Sequence, residues 1–259
     1  LVRSLLVLLL GAGLVAADDT KPGDTAPEKK KTAAEVEIAD PGTPIEDASV
    51  ARQEVSRFEK EMREAKDALA EVKLLDRLGG WDHPEVFKAA AKRVKDREHI
   101  VAVAAIVAVA RQGKSKDAAG RALMGVLKTE KRTDLVCAAL VGLGRLGIDS
   151  KAAVSEATKL FQRDAKETHK AATRYFGYIK YKPAFRMIAE KLDQPEPANP
   201  NDPNNPPESY WKERWEEWSS NVPHTRWALA QLIPGETFET TAEAKLWAES
   251  EGKEHDIEW

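Results

Sequence analysis

Three glycines set the frame for this chain. Gly79, Gly113 and Gly147 follow one another at a constant spacing of 34, and each stands behind a segment with helical apolar periodicity: Leu78-Gly79, Gln112-Gly113 and Leu146-Gly147. A fixed period of this length is the mark of stacked supersecondary units, each too small to bury its own apolar face alone. Glycine suits the left-handed residue that follows a helix, where a β-carbon is strained, so each of the three is expected to close the second helix of a pair.

On this register the second helices span Ile100 to Gln112, Asp134 to Leu146 and His169 to Tyr181. Val103, Cys137 and Ala172 fall in one column, Ile106, Leu140 and Tyr175 in another, and both columns read as core. Ile100 to Ala110 is apolar on all sides yet too short to cross a bilayer, which predicts a helix sandwiched between neighbouring units. The first helices, Glu85 to Lys95, Lys116 to Lys128, Lys151 to Gln162 and Ala184 to Leu192, are more polar with one apolar stripe and are expected outside. Ser115 and Ser150 stand where the following helix needs an N-cap, and Thr133 and Thr168 do so for later second helices. Ahead of the repeats, Val55, Phe58, Met62, Ala65, Leu69 and Val72 alternate by three and four and predict a helical pattern from 48 to 78. That pattern fits a coiled coil for under three heptads, so packing on the next helices is the better reading.

The stretch Ala138-Ala139-Leu140-Val141-Gly142-Leu143-Gly144-Arg145-Leu146-Gly147, together with Val103 to Gly113, resembles the second-helix consensus of HEAT repeats. The resemblance covers residues 66 to 192 and implies an all-α fold, a short right-handed α-solenoid of HEAT-like helix pairs. It implies a scaffold or binding platform more readily than an enzyme, and fold alone does not assign a function. The fourth unit departs from the pattern, with Tyr181 and Lys182 where Leu and Gly belong, as an end cap would.

The ends of the chain differ from its middle. Arg3 precedes an uncharged, mostly apolar run from Ser4 to Ala17, and Val15-Ala16-Ala17 offers small residues for cleavage before Asp18. This reads as a signal peptide (residues 1–17). A membrane anchor is the competing reading, but spanning hydrocarbon takes roughly 20 apolar residues, so no stable membrane insertion is expected after cleavage. The address is exported, periplasmic or extracellular. Residues 18–47, rich in Lys, Glu, Asp, Pro and Thr, are expected to be a disordered linker. The helical repeats follow at 48–192 and a Pro/Asn-rich spacer at 193–209. A Trp-rich helical C-terminal extension occupies 210–259, with one short helix from Tyr210, another starting at Pro223, and a third opened by a Thr240–Glu243 capping box. The extension is similar to the C-terminal part of exported bacterial HEAT-repeat proteins, with Gly235 and Phe238 as the matching turn. With Cys137 as the one cysteine, no internal disulfide framework is available.

No residue pattern points to catalysis. His83, His99, His169, His224 and His255 are scattered, Cys137 falls in a core column, and Gly142, Gly144 and Gly147 follow no strand that would make a nucleotide fingerprint. The expectation is no catalytic residue, no metal and no cofactor. Charge is more informative. Residues 81 to 192 carry 23 Lys and Arg against 12 Asp and Glu, whereas 193 to 259 carry 5 against 15. Arg77, Arg111, Arg145 and Lys180 recur at nearly one repeat position, either as a ladder for an acidic partner or as cations placed at helix C-termini by the dipole. Trp211, Trp215 and Trp218 share a face that either grips a ligand or covers the open end of the stack. These seven residues are the candidate binding set. A protein partner is the leading expectation and an anionic envelope polysaccharide the alternative; nucleic acid fits the charge but not the export. An enzyme site assembled between repeats and tail ranks behind both.

Overall fold

The computed structural model describes residues 40–163, 166–197, 199 and 202–259. The signal-like run and most of the expected linker lie outside these residues. Among the described residues, eleven α-helices and one two-stranded bridge make up the regular structure, joined by short 3-10 turns. The protein is mostly helical, as its sequence predicts.

Asp47 starts α1 (Ala48–Glu64) by accepting a hydrogen bond from the Ser49 amide at 2.7 Å. The expected pattern from 48 to 78 is not one helix. Ala65 is extended, and the Asp67 carboxylate caps α2 (Ala68–Gly79) by accepting from the Ala70 amide at 2.8 Å. A side chain that satisfies an orphan donor makes this break favourable despite the continuous apolar spacing. Leu69, in line with the core column by sequence, is consequently 52% exposed.

Next come α3 (Pro84–Ala91), α4 (His99–Ala110), α5 (Lys116–Thr129), α6 (Thr133–Arg145), α7 (Lys151–Phe161) and α8 (Lys166–Tyr178). Extensive interfaces join consecutive second helices: α2 lies on α4, α4 on α6, and α6 on α8. The first helices flank this layer, α3 beside α1 and α4, α5 beside α6, α7 beside α8. Helix α4, apolar all round, is buried between two neighbours, with Val101, Ala105, Ile106 and Val109 inaccessible. Ile106, Leu140, Tyr175 and Ala172 form the expected core, but Val103 and Cys137 are only partly buried.

The repeating glycines divide their work differently from the expectation. Only Gly147 is left-handed, at φ 63°. It closes α6 with Gly147 N–H donating to the Gly144 carbonyl and Ile148 N–H to the Leu143 carbonyl. The same pair of bonds recurs after α8, from Lys180 to Gly177 and from Tyr181 to Phe176, with Lys180 itself left-handed at φ 52°. The fourth unit therefore keeps the turn and loses only its glycine. Gly79, by contrast, ends α2 inside a close approach: a β-carbon there would stand 2.9 Å from the Ala108 Cα of α4.

The caps also need correction. Ser150 caps α7 through the Ala153 amide, but Ser115 makes no cap bond; the Asp82 carboxylate accepts from the Lys114 amide at 2.9 and 3.1 Å instead. Glu130 rather than Thr133 takes amides ahead of α6, those of Lys131 and Arg132, and Thr168 is buried within α8.

Beyond α9 (Phe185–Ala189), the tail folds onto the last unit. A single helix, α10 (Glu208–Leu232), replaces the two expected, running through Pro223. Proline inside a helix costs about 3 kcal/mol. The cost is offset because both halves are anchored: Trp215 and Trp218 ahead of the proline hold the Pro195 and Leu192 carbonyls, and Trp227 and Ala228 beyond it pack on Gly177 of α8. Helix α11 (Thr241–Ser250) has the expected capping box. Thr241 ties it to Asp193 and to the Ala189 carbonyl, while Phe185 packs against Phe238, Trp247 and Trp259. The acidic extension thus docks on the end of the basic stretch, apolar face first. Among the described residues no helix is long and apolar enough to cross a membrane.

The end of the expected linker is not loose. Thr43–Pro44 (β1) pairs in parallel with Trp81–Asp82 (β2), Thr43 opposite Trp81. The Thr43 amide donates to the Gly80 carbonyl at 2.8 Å, the Ile45 amide to Asp82 at 3.2 Å, and the Gly42 amide to Arg111 at 3.1 Å. Ile45 is buried at 7% exposure, enough apolar area to hold an otherwise polar segment in place.

Candidate functional site

The C-terminal turns of the second helices lie in a row, and residues 40–46 run across them as a strap. Beneath the strap sits Gln112, fully buried, whose amide donates to the Trp81 and Ala108 carbonyls at 2.9 and 3.1 Å. Its side-chain oxygen accepts from the His83 amide at 3.4 Å. Together with the Asp82 carboxylate on Lys114, this network fixes the turns 79–83 and 111–114 against each other and leaves few buried polar atoms without a partner.

Two members of the basic row meet the strap. Arg111, its side chain 14% exposed, donates from Nε to the Asp40 carbonyl at 3.0 Å and reaches Asp76 Oδ1 at 3.3 Å. Arg145 lies 3.6 Å from Asp40 Oδ1, with its guanidinium 5.3 Å from the centre of the Tyr178 ring. Arg174 approaches the same ring at 6.0 Å and hydrogen-bonds the Tyr178 hydroxyl at 3.3 Å, while Trp227 meets Tyr178 edge-on at 4.9 Å. Aromatic faces hold guanidinium groups by their quadrupole, so this cluster is a fixed positive seat rather than two loose side chains. At the strap's other end Lys114 bonds the Ile45 carbonyl at 3.3 Å and Glu46 at 2.7 Å. The Lys114 ammonium holds the Glu46 carboxyl below its ordinary value.

The other two members go elsewhere. Arg77 pairs with Glu61 of α1. Lys180 lines a shallow depression of about 400 Å³ with Asp149, Tyr181, Lys182 and Asp256, where Lys182 and Asp256 lie 3.6 Å apart. The four basic residues thus differ in their partners: Arg111 and Arg145 both meet Asp40, Arg77 meets Glu61, and Lys180 lines the depression.

The tryptophan face is half-buried in the chain's own fold. Trp215 Nε1 donates to the Pro195 carbonyl at 2.7 Å and Trp218 Nε1 to the Leu192 carbonyl at 2.9 Å, so they tie the end of the repeats and the start of the Pro-rich spacer to α10. Trp211 stands beside Tyr210, edge-on at 5.2 Å.

Chemistry beyond ion pairing is sparse among the described residues. Burial pushes the Cys137 thiol up to about 12, with Glu167 and Asp134 adding to the effect, so the nucleophilic thiolate is suppressed at neutral pH. Burial also lowers the His169 pKa, its ring packed 4.0 Å from Phe161. The Glu130 carboxyl is held down to about 2, first by its hydrogen bond to the Arg132 side chain. His99 pairs with Asp134 across the starts of α4 and α6. No group of three or more described His, Cys, Asp or Glu residues is placed to hold a metal ion.

Sequence reasoning missed the strap, Gln112, and the Tyr178–Arg174–Trp227 cluster. Ile45, one large apolar residue among prolines and acids, was the available signal for the strap. The chain matches no protein-family model, and no curated protein matches its sequence.

Proposed function

We propose that this chain is an exported, non-enzymatic scaffold: a short right-handed α-solenoid of HEAT-like pairs that binds a protein partner through its repeat surface. The stacking order carries this reading. Second helices α2, α4, α6 and α8 lie one on the next, and α10 covers the last of them. A stack whose C-terminal end is sealed by its own tail has its lateral faces left for recognition. On those faces Leu69 and Ile100 are exposed, at 52% and 38%, at the starts of adjacent second helices. Partly buried Val103 and Val107 of α4 are also second-helix residues. Exposed apolar side chains on a rigid helical layer suit a protein partner better than a polysaccharide.

The anionic-polymer alternative needs basic groups facing outward along the repeats. Arg111 and Arg145 instead carry Asp40 and Asp76 as counter-ions, which weighs against it. The deciding experiment is capture from an envelope extract with protein beginning at Asp18, followed by low-salt and high-salt washes. A defined protein held through high salt supports the scaffold. Release of anionic polymer by moderate salt, with no protein retained, overturns it in favour of the alternative.

A further inference from the structure

We propose that the outer layer of first helices, α3, α5 and α7, is a contact surface for an anionic lipid membrane and meets its phosphodiester headgroups. The inference goes beyond the protein-binding reading, which uses the second helices, and does not depend on it. It starts from which cations are countered. At the C-terminal turns of the second helices Arg77, Arg111 and Arg145 all meet carboxylates. The first helices differ. Lys95 behind α3, Arg121 and Lys128 of α5, Lys151 of α7 and Arg163 behind it are exposed, and none forms an ion pair among the described residues. Within α3 and α7 the acids Glu85 and Glu156 are already paired, with Lys88 and Lys159, so Asp117 of α5 is the one acid of these three helices without a cation.

Packing turns these cations outward. Helix α5 buries Ala119, Leu123, Val126 and Leu127 and lies against α6, which leaves Arg121 and Lys128, two turns apart, on its far side. Helix α7 buries Ala153, Ala157, Leu160 and Phe161 and lies against α8, with Lys151 and Lys159 exposed. The patch starts at α3, since α1 carries four bases and four acids. What the face lacks selects its occupant. The large apolar side chains exposed in the fold are Val50, Leu69, Ile100, Tyr210 and Leu246, none of them on α3, α5 or α7. A single-stranded polyanion is held by a groove lined with aromatic faces, whereas these cations are spread over three helices with no exposed aromatic among them. A plane of headgroups asks only for cations spread over a surface, each Lys or Arg near it strengthening binding about fivefold. With no apolar side chain to insert, the contact is electrostatic and is screened by salt.

Co-sedimentation with vesicles tests this, using the protein that begins at Asp18, which keeps every described residue. Vesicles of mixed phosphatidylglycerol and phosphatidylcholine should bind it, vesicles of phosphatidylcholine alone should not, and high salt should release it. Arg121→Gln together with Lys128→Gln removes the two central cations and should weaken binding roughly tenfold or more. Lys66→Gln together with Lys73→Gln is the control, since these cations, ahead of and within α2, are equally exposed and form no ion pair among the described residues; it should leave binding within about twofold. All four positions are exposed, and thermal melts check that each variant is folded. Equal binding to both lipid compositions overturns the proposal, as does an equal loss in the control, which would reflect net charge rather than this face. Hyaluronate or single-stranded DNA that displaces the protein at a lower charge concentration than the vesicles supply puts a polymer in the membrane's place and also overturns it. None of these failures touches the protein-binding reading, whose capture experiment uses no lipid.

Discussion

Replacing Gly177 of α8 with alanine tests how closely the tail helix is seated on the repeats. The new β-carbon would lie 2.5 Å from Trp227 Cζ3 and 3.1 Å from the Ala228 Cα. Carbon atoms rest about 3.5–4.0 Å apart at their optimum, so the indole must retreat by about 1 Å and α10 by several tenths. Trp227 is held edge-on against Tyr178, and Ala228 offers backbone that cannot rotate away. Overpacking of this kind costs about 1–3 kcal/mol, against a helix-propensity gain of up to about 1 kcal/mol for alanine over glycine. The expected net loss is up to about 2 kcal/mol, a fall in Tm of up to roughly 8 °C for a domain of this size. Gly125 of α5 supplies the control, because a β-carbon there meets nothing within 4 Å. Gly125→Ala should therefore gain about 0.5–1 kcal/mol. Thermal melts followed by circular dichroism read both, and a Trp227→Leu background should shrink the Gly177→Ala penalty. Stabilisation by both alanines would refute the close α8–α10 contact.

Three further outcomes follow from single residues. Lys180→Gly should stabilise by about 0.5–1 kcal/mol, since a left-handed residue with a β-carbon gives way to one without, less the added freedom of the unfolded glycine; an unchanged or lowered Tm would show that the lysine side chain compensates its own strain. Gln112→Leu should cost about 2–4 kcal/mol in urea denaturation, because it strands the Trp81 carbonyl and the His83 amide in the interior; a change under about 0.5 kcal/mol would discard the network. His169, whose pKa is lowered by burial, is neutral when folded and takes up a proton more readily when unfolded. Its contribution is thus fully present above the unfolded value of about 6.5 and lost as pH falls from there toward the lowered folded value. Tm measured between pH 7.5 and 5 should fall less for His169→Gln than for the unaltered chain, and parallel curves would refute the assignment.

The order of helices was legible because each second helix is apolar enough to announce a buried position, α4 above all. What the glycines do was only half legible. A glycine after an apolar run signals a turn, but the same residue also permits close approach, and nothing in the sequence tells Gly147, which turns, from Gly79, which touches Ala108. Lys180 hid a turn altogether, since left-handed geometry there is enforced by the Gly177 and Phe176 carbonyls and not by residue type. The single pattern from 48 to 78 concealed a break because Asp67 acts through a cap, which apolar periodicity does not register. Pro223 misled in the opposite sense: local propensity stops a helix there, and packing on both sides overrides it. The strap was illegible for a compositional reason, since Asp40-Pro41-Gly42-Thr43-Pro44 reads as linker until the backbone donors and acceptors of turns 79–83 are known.

The basic row shows how far charge counting reaches. Arg111 is the C-cap of α4 and Arg145 the last residue of α6, where the helix dipole alone would favour them. A dipole acts on each cation separately, however, and gives no reason for two side chains from different helices to converge on one outside residue. Both do so at Asp40. Arg77 occupies the corresponding turn of α2, the first of the stacked second helices, and pairs with Glu61 of its own α1. The difference tracks position in the stack: α4 and α6 have second helices on both sides and turn their cations toward the strap, while α2 has one on one side alone. Placement at the helix end accounts for why the arginines recur; the strap accounts for where the two central ones point.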